Sequence, residues 1–213
     1  MIVDLNYLVI EGNIGAGKTT LAQMIAQEYN GKLILEQFAD NPFLPKFYND
    51  PDRYSFPLEL SFLAERYQQL NRDLTSRDLF KPLNVADYYF MKSLIFAKAT
   101  LKQDEYNLYR QIFNIIYQSI PKPDLYVYLH VDVKKLLTNI SKRGRDYEKG
   151  ISEEYLKNLE KGYFDFFRQQ NDMSFLIIDT NNVDFVDNQN DYRKIKALIF
   201  QEKYDPGIHR IVI

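Results

Sequence analysis

The stretch Gly12-Asn13-Ile14-Gly15-Ala16-Gly17-Lys18-Thr19, followed by Thr20, spaces its glycines, lysine and hydroxyls in the pattern of a P-loop. Glycines let the backbone bend so that successive amide N–H groups converge on phosphate oxygens. A helix opening directly behind them adds the positive end of its dipole. In such a loop Lys18 reaches the terminal phosphates and the Thr19 hydroxyl ligates Mg²⁺. The ligand class is a nucleoside triphosphate, but the loop does not say where a phosphate goes. Glu36, just beyond the apolar Leu33-Ile34-Leu35, can take a proton from an attacking hydroxyl; a solvated loop acid is the competing reading. Asp87, after Leu83-Asn84-Val85-Ala86, can hold the metal's water shell or contact a substrate, and can equally cap a helix. Arg143 and Arg145 flank Gly144 inside the charged stretch Lys142 to Gly150. That is the make-up of a mobile clamp that offsets charge on a transferring phosphoryl group. A solvated surface loop competes, and a P-loop in the same chain weighs against it.

Strands must carry these groups to one edge. Tyr7-Leu8-Val9-Ile10 reads as a strand buried on both faces, and Lys32–Leu35, Leu83–Ala86, Leu125–Val131 and Phe175–Ile178 as four more. Helical spacing runs from Thr19 to Tyr29, from Phe56 to about Leu79, from Glu105 to Ile120, from Val133 to Ser141, from Ser152 to Gln170 and from Tyr192 to Phe200. Pro42 and Pro45 punctuate a loop or short helix. Alternation of this kind predicts a parallel five-stranded sheet with crossover helices on both faces, and ligands bind beyond the carboxyl ends of such strands. The tail Tyr204 to Ile213 has the pattern of an added edge strand outside that count. No repeat or linker marks a boundary, so residues 1–213 are read as one domain.

The composition, 46% hydrophobic and 26% charged, fits a globular fold. With 27 basic and 29 acidic side chains the net charge is -2, against backbone-tracking of nucleic acid, which needs a basic stripe. Cysteine is absent, which removes disulfides and thiolate zinc sites, and histidine occurs only at His130 and His209, which argues against an imidazole-based triad or metal cluster. No apolar run approaches the roughly 20 residues of a membrane span, and Asn6 to Ile10 is too short for a signal peptide, so a cytoplasmic protein without a membrane partner is expected. The 17 tyrosines and 15 phenylalanines are assigned to packing.

GNIGAGKTT, Glu36 after the second strand, PDRYSFPLELSFLAERYQQL and RGRDYEKGISEEYL together resemble the deoxynucleoside kinase family from about residue 5 to 200, in its bacterial deoxyadenosine kinase-like form. The resemblance implies a P-loop kinase-type α/β fold with an Arg-rich lid at about 142–150 and a homodimer. It also implies transfer of phosphate from ATP, with Mg²⁺, to the 5′-hydroxyl of a deoxynucleoside, Glu36 being the base. By the same resemblance Tyr48 and Glu148 bind the 3′-hydroxyl, Arg66 meets the nucleobase and a catalytic carboxylate, Arg143 and Arg145 are lid arginines, and the adenine of ATP lies near Asp184-Phe185. Phe96 is aligned with the aromatic that sandwiches the base. Two departures stand out. Asp87-Tyr88-Tyr89 lacks the family's arginine after the carboxylate, and Lys92 and Arg66 are the candidates to replace its charge. Glu59 stands where the family commonly has glutamine; two helical turns before Arg66, it pairs an acceptor with a guanidinium. That pairing suits a purine, and the resemblance tips the choice to deoxyadenosine. The alternatives are a nucleoside monophosphate kinase of thymidylate-kinase type and a P-loop switch; no Asn-Lys-x-Asp guanine-reading motif supports the latter.

Overall fold

The computed structural model describes residues 4–37, 41–75, 80–145, 148 and 150–213, the side chain of Tyr48 excepted. The chain forms two compact units, Met1–Leu35 with Arg77–Tyr88 and Lys122–Ile213, and Glu36–Ser76 with Tyr89–Pro121.

The first unit is built on a parallel sheet. Its strands are β1 (Tyr7–Gly12), β2 (Lys32–Ile34), β3 (Asn84–Ala86), β4 (Leu125–His130), β5 (Ser174–Asp179) and β6 (Gly207–Val212). Their spatial order is β2-β3-β1-β4-β5-β6, so β1 lies between strands that follow it in opposite directions along the sheet. The carboxyl end of β1 is therefore the switch point where α/β sheets bind ligands. Five of the strands were anticipated; the sheet has six. The sixth is the tail, paired in parallel with β5 from Ser174–Gly207 to Asp179–Val212. It alternates half-buried and exposed residues, as an edge strand with one covered face does, whereas β1 is buried at every position.

Helices α1 (Lys18–Glu28), α6 (Val133–Arg143), α7 (Glu153–Gln169) and α8 (Gln189–Phe200) belong to this unit. Leu21 and Ile25 of α1, Leu136 and Ile140 of α6 and Ile195 and Ile199 of α8 join Leu8, Ile10, Val127, Leu129, Leu176 and Ile178 in one apolar core. Strand residues of opposite parity meet the aromatic face of α7. Phe167 lies 4.7 Å from Phe175 and 5.4 Å from Tyr126, ring centre to ring centre. Much of the aromatic content is thus accounted for by packing.

The second unit is helical: α2 (Leu44–Asn49), α3 (Pro51–Thr75), α4 (Lys92–Thr100) and α5 (Gln103–Tyr117). Helix α3 starts five residues earlier than the apolar spacing predicts, because Pro51 lacks only an N–H that a first helical residue leaves unbonded anyway. Phe90 stacks on Phe113 at 5.0 Å, and Phe113 on Tyr117 at 5.3 Å, tying α5 to the turn before α4. Among the described residues no helix is long and apolar enough to cross a membrane.

Candidate active site

In the sheet unit, β1 runs into the glycine loop and α1 opens at Lys18. Gly15 and Gly17 have φ of +84° and +89°, which L side chains rarely adopt. A Cβ on Gly17 would stand 2.8 Å from Phe185 Cζ, so this glycine also makes room for an aromatic ring. The loop is braced from two helices: Asn139 Nδ2 donates to the Gly15 carbonyl at 2.9 Å, and Asn13 Nδ2 donates to the Leu156 carbonyl at 2.8 Å. Lys18 Nζ donates to the Asn13 carbonyl at 3.0 Å.

The Thr19 hydroxyl donates to Asp87 Oδ2 at 2.5 Å. The two oxygens are hard donors, a hydroxyl and a carboxyl oxygen, on an exposed helix start and a buried strand end. That chemistry fits Mg²⁺, which binds through one or two protein oxygens and keeps waters and phosphate oxygens for the rest of its shell.

A cavity of about 380 Å³ opens beside the loop, lined by Gly15, Gly17, Thr20, Lys135, Asn139, Arg143 and the segment Val183–Val186. Lys135 Nζ shapes its wall by donating to the carbonyls of Thr180 (3.0 Å), Asn181 (2.8 Å) and Val183 (3.3 Å). Asp184 caps the turn, accepting from the N–H groups of Val186 (3.1 Å) and Asp187 (3.0 Å), and Phe185 is buried against Gly17. At the end of α6, Arg143 forks onto Glu148: Nε donates to Oε2 at 3.0 Å and Nη2 to Oε1 at 2.6 Å. Arg145 Nη1 stands 3.5 Å from the same carboxylate, which is buried.

In the helical unit a second charged cluster is almost wholly buried. Arg66 of α3 donates from Nε (2.9 Å) and Nη2 (2.7 Å) to Glu36 Oε1 and from Nη1 to Ser93 Oγ (2.9 Å), while Lys92 of α4 pairs with Glu36 Oε2. Burial alone would push the Glu36 carboxyl up. The charges of Lys92 and Arg66, with their hydrogen bonds, outweigh it and hold the carboxyl at about 2. Glu59 lies seven residues before Arg66. Its Oε1 accepts from Thr100 Oγ1 at 2.9 Å, and its buried Oε2 has no hydrogen-bond partner among the described residues. Here burial outweighs Arg66, and the carboxyl is pushed up to about 7. Tyr109 of α5 donates to the Glu59 carbonyl at 3.3 Å. Phe96 is half-buried, its ring 5.3 Å from Lys92 Nζ.

The deoxynucleoside kinase profile matches residues 8–203, nearly the whole chain. The chain belongs to the deoxynucleoside kinase family. It is 39% identical over 196 residues to a deoxyguanosine kinase of Bacillus subtilis (strain 168), covering 90% of this chain and 94% of that one. It is 34% identical over 196 residues to a deoxyadenosine kinase of Dictyostelium discoideum, covering 90% and 78%. Among solved structures it resembles deoxyadenosine kinase from M. mycoides with bound dATP, with a TM-score of 0.77, 26% identity and coverage of 91% and 98%.

Within this deoxynucleoside kinase the predicted residues fall into separate groups. Gly12 through Thr20, Asp87, Asp184, Phe185, Arg143, Arg145 and Glu148 all belong to the sheet unit; Glu36, Tyr48, Glu59, Arg66 and Phe96 belong to the helical one. Of the two candidates to replace the missing arginine's charge, Lys92 and Arg66, both bind Glu36. Of the lid stretch, Asp146, Tyr147 and Lys149 lie outside the described residues, as does the Tyr48 side chain. Sequence reasoning passed over Asn139, Lys135, Ser93, Thr100 and Tyr109. Asn139 offered one signal, a polar residue amid the apolar positions of α6.

Proposed function

We propose that this deoxynucleoside kinase transfers the terminal phosphate of ATP to the 5′-hydroxyl of a purine deoxynucleoside, yielding the 5′-monophosphate and ADP. The family membership supports the reaction, and the relatives named for deoxyguanosine and for deoxyadenosine support the purine. The observation that carries the purine reading is Glu59: a buried carboxyl with one unpartnered oxygen, on the helix face it shares with Arg66, offers an acceptor to base N–H groups. The choice between the two purines is not made by the relatives, so deoxyadenosine and deoxyguanosine are both proposed as acceptors.

In this reading the P-loop amides and Lys18 hold the triphosphate in a geometry ready for in-line attack. Thr19 and Asp87 would hold Mg²⁺, which when bound neutralises charge on the phosphate oxygens. Glu36 is ionised at any physiological pH and accepts the proton of the attacking hydroxyl. Arg66 and Lys92 fix its orientation and damp its basicity, so the proton moves as the hydroxyl is consumed, not before. Arg143 and Arg145 exchange Glu148 for phosphoryl oxygens as charge develops, and Glu148 then becomes available to the sugar 3′-hydroxyl. Radiolabelled ATP offered with single acceptors tests the reaction class. Label on purine deoxynucleosides, and none on deoxynucleoside monophosphates, is the expected result; transfer to monophosphates alone would overturn it.

A further inference from the structure

Glu59 holds a position in α3 at which the contact of its Oε1 accommodates either protonation state. It is 4% exposed, and its Oε2 has no hydrogen-bond partner among the described residues. Its Oε1 meets Thr100 Oγ1 at 2.9 Å, and the same hydroxyl lies 3.0 Å from the Phe96 carbonyl. A hydroxyl has one hydrogen and two lone pairs. When Glu59 is ionised, Thr100 gives that hydrogen to Oε1; when Glu59 is neutral, Thr100 can turn it to Phe96 without leaving a buried donor stranded. Among the described residues the charges acting on Glu59 are those of Arg66 and Glu36. Arg66, on the same helix, favours the ionised form, but its donors are directed at Glu36 and Ser93. Glu36, itself paired with Arg66 and Lys92, disfavours it. From α5 the Tyr109 hydroxyl, held protonated by burial, points to the Glu59 carbonyl. Burial is the largest influence, and the carboxyl titrates near 7.

The two states read different base edges. A carboxylate offers acceptors only, which matches the adjacent N1–H and N2–H donors of guanine. A neutral acid offers one donor and one acceptor, which matches a ring nitrogen and the 6-amino group of adenine. We propose that Glu59 selects the purine by its protonation state, taking deoxyguanosine as the carboxylate and deoxyadenosine as the neutral acid, so that one enzyme changes preference with pH. This rests on the purine reading above.

The test is the ratio of kcat/KM for deoxyguanosine to that for deoxyadenosine, measured from pH 5.5 to 8.5. Proton transfer, ATP binding and lid closure act on both substrates and cancel in the ratio. With a midpoint of about 7, the carboxylate fraction rises about 30-fold over that range while the neutral fraction falls as much. The ratio is expected to rise at least about tenfold with pH. Glu59→Gln, locked as one donor and one acceptor, is expected to hold the ratio flat and shifted toward deoxyadenosine. A wild-type ratio constant within about twofold while both purines are phosphorylated would overturn the inference and leave the proposed function standing. Persistence of the slope in Glu59→Gln would overturn it too. If neither purine deoxynucleoside accepts phosphate at any pH, function and inference fall together. The wild-type slope decides the matter even if the variant does not fold.

Discussion

Replacing Glu36 with Gln should damage stability and turnover by separable amounts. In the wild type one buried carboxylate serves two buried cations, whose side chains are 6% (Arg66) and 9% (Lys92) exposed. An amide keeps an acceptor for only one of them and turns N–H donors toward the other. Its carboxyl lies at about 2 instead of the ordinary 4.5, a displacement equivalent to about 3 kcal/mol in favour of the ionised, folded form. Losing one partner of a buried ion pair costs a similar amount, about 3–5 kcal/mol. For a chain of this size that lowers Tm by roughly 6–12 °C. Because the folded-state pKa is depressed, this stabilisation is complete above about 4.5 and fades only as the pH falls toward about 2. The gap between wild type and variant should therefore be flat from pH 8 to 5. Scanning calorimetry at several pH values measures it. Steady-state assays at a temperature where both proteins are folded should show kcat reduced by on the order of 10²–10⁴-fold. A Tm within about 2 °C of wild type would refute the electrostatic argument. A normal kcat with a raised KM would assign Glu36 to binding instead of proton transfer.

Lys18→Ala should lose at least about 100-fold in kcat while keeping Tm near the wild-type value, since the side chain is only half-buried; retained turnover would remove the P-loop assignment. Gly17→Ala forces a Cβ to 2.8 Å from Phe185 at a φ of +89°, so a loss of about 1–3 kcal/mol in unfolding free energy is expected, with a raised KM for ATP. Equal stability and ATP affinity would contradict the packing described between Gly17 and Phe185. Glu148→Gln breaks the fork with Arg143 and should raise KM for deoxynucleosides about tenfold. A 2′,3′-dideoxynucleoside should show no such penalty, and an equal penalty on both would deny Glu148 a role at the 3′-hydroxyl.

What the sequence made legible was local or periodic. The P-loop is contiguous, β1 is an uninterrupted apolar run, and Glu59 and Arg66 are joined by helical spacing alone. Helix α4 was not legible, and the reason is physical. Its buried face mixes Lys92 and Ser93 with Ile95 and Ala97, because that face holds Glu36 and Arg66, and the apolar repeat that announces a helix is lost. The partners of Glu36 lie 30 and 56 residues away along the chain, a separation no spacing rule covers. Phe96 was read as aligned with a base-sandwiching ring; it is half-buried beneath Lys92. Strand β6 is legible as an added edge strand, but nothing in Gly207–Val212 states that it pairs with β5 and brings the sheet to six. Asp184 was singled out for nucleotide contact, and its carboxylate caps its own turn.

The purine reading of Glu59 is tested in competition. An equimolar mixture of the four deoxynucleosides with limiting ATP, its products separated by chromatography, reads all specificities at once. At pH 7 dGMP and dAMP together are expected to make up nearly all the product. Predominance of dCMP or dTMP would contradict it.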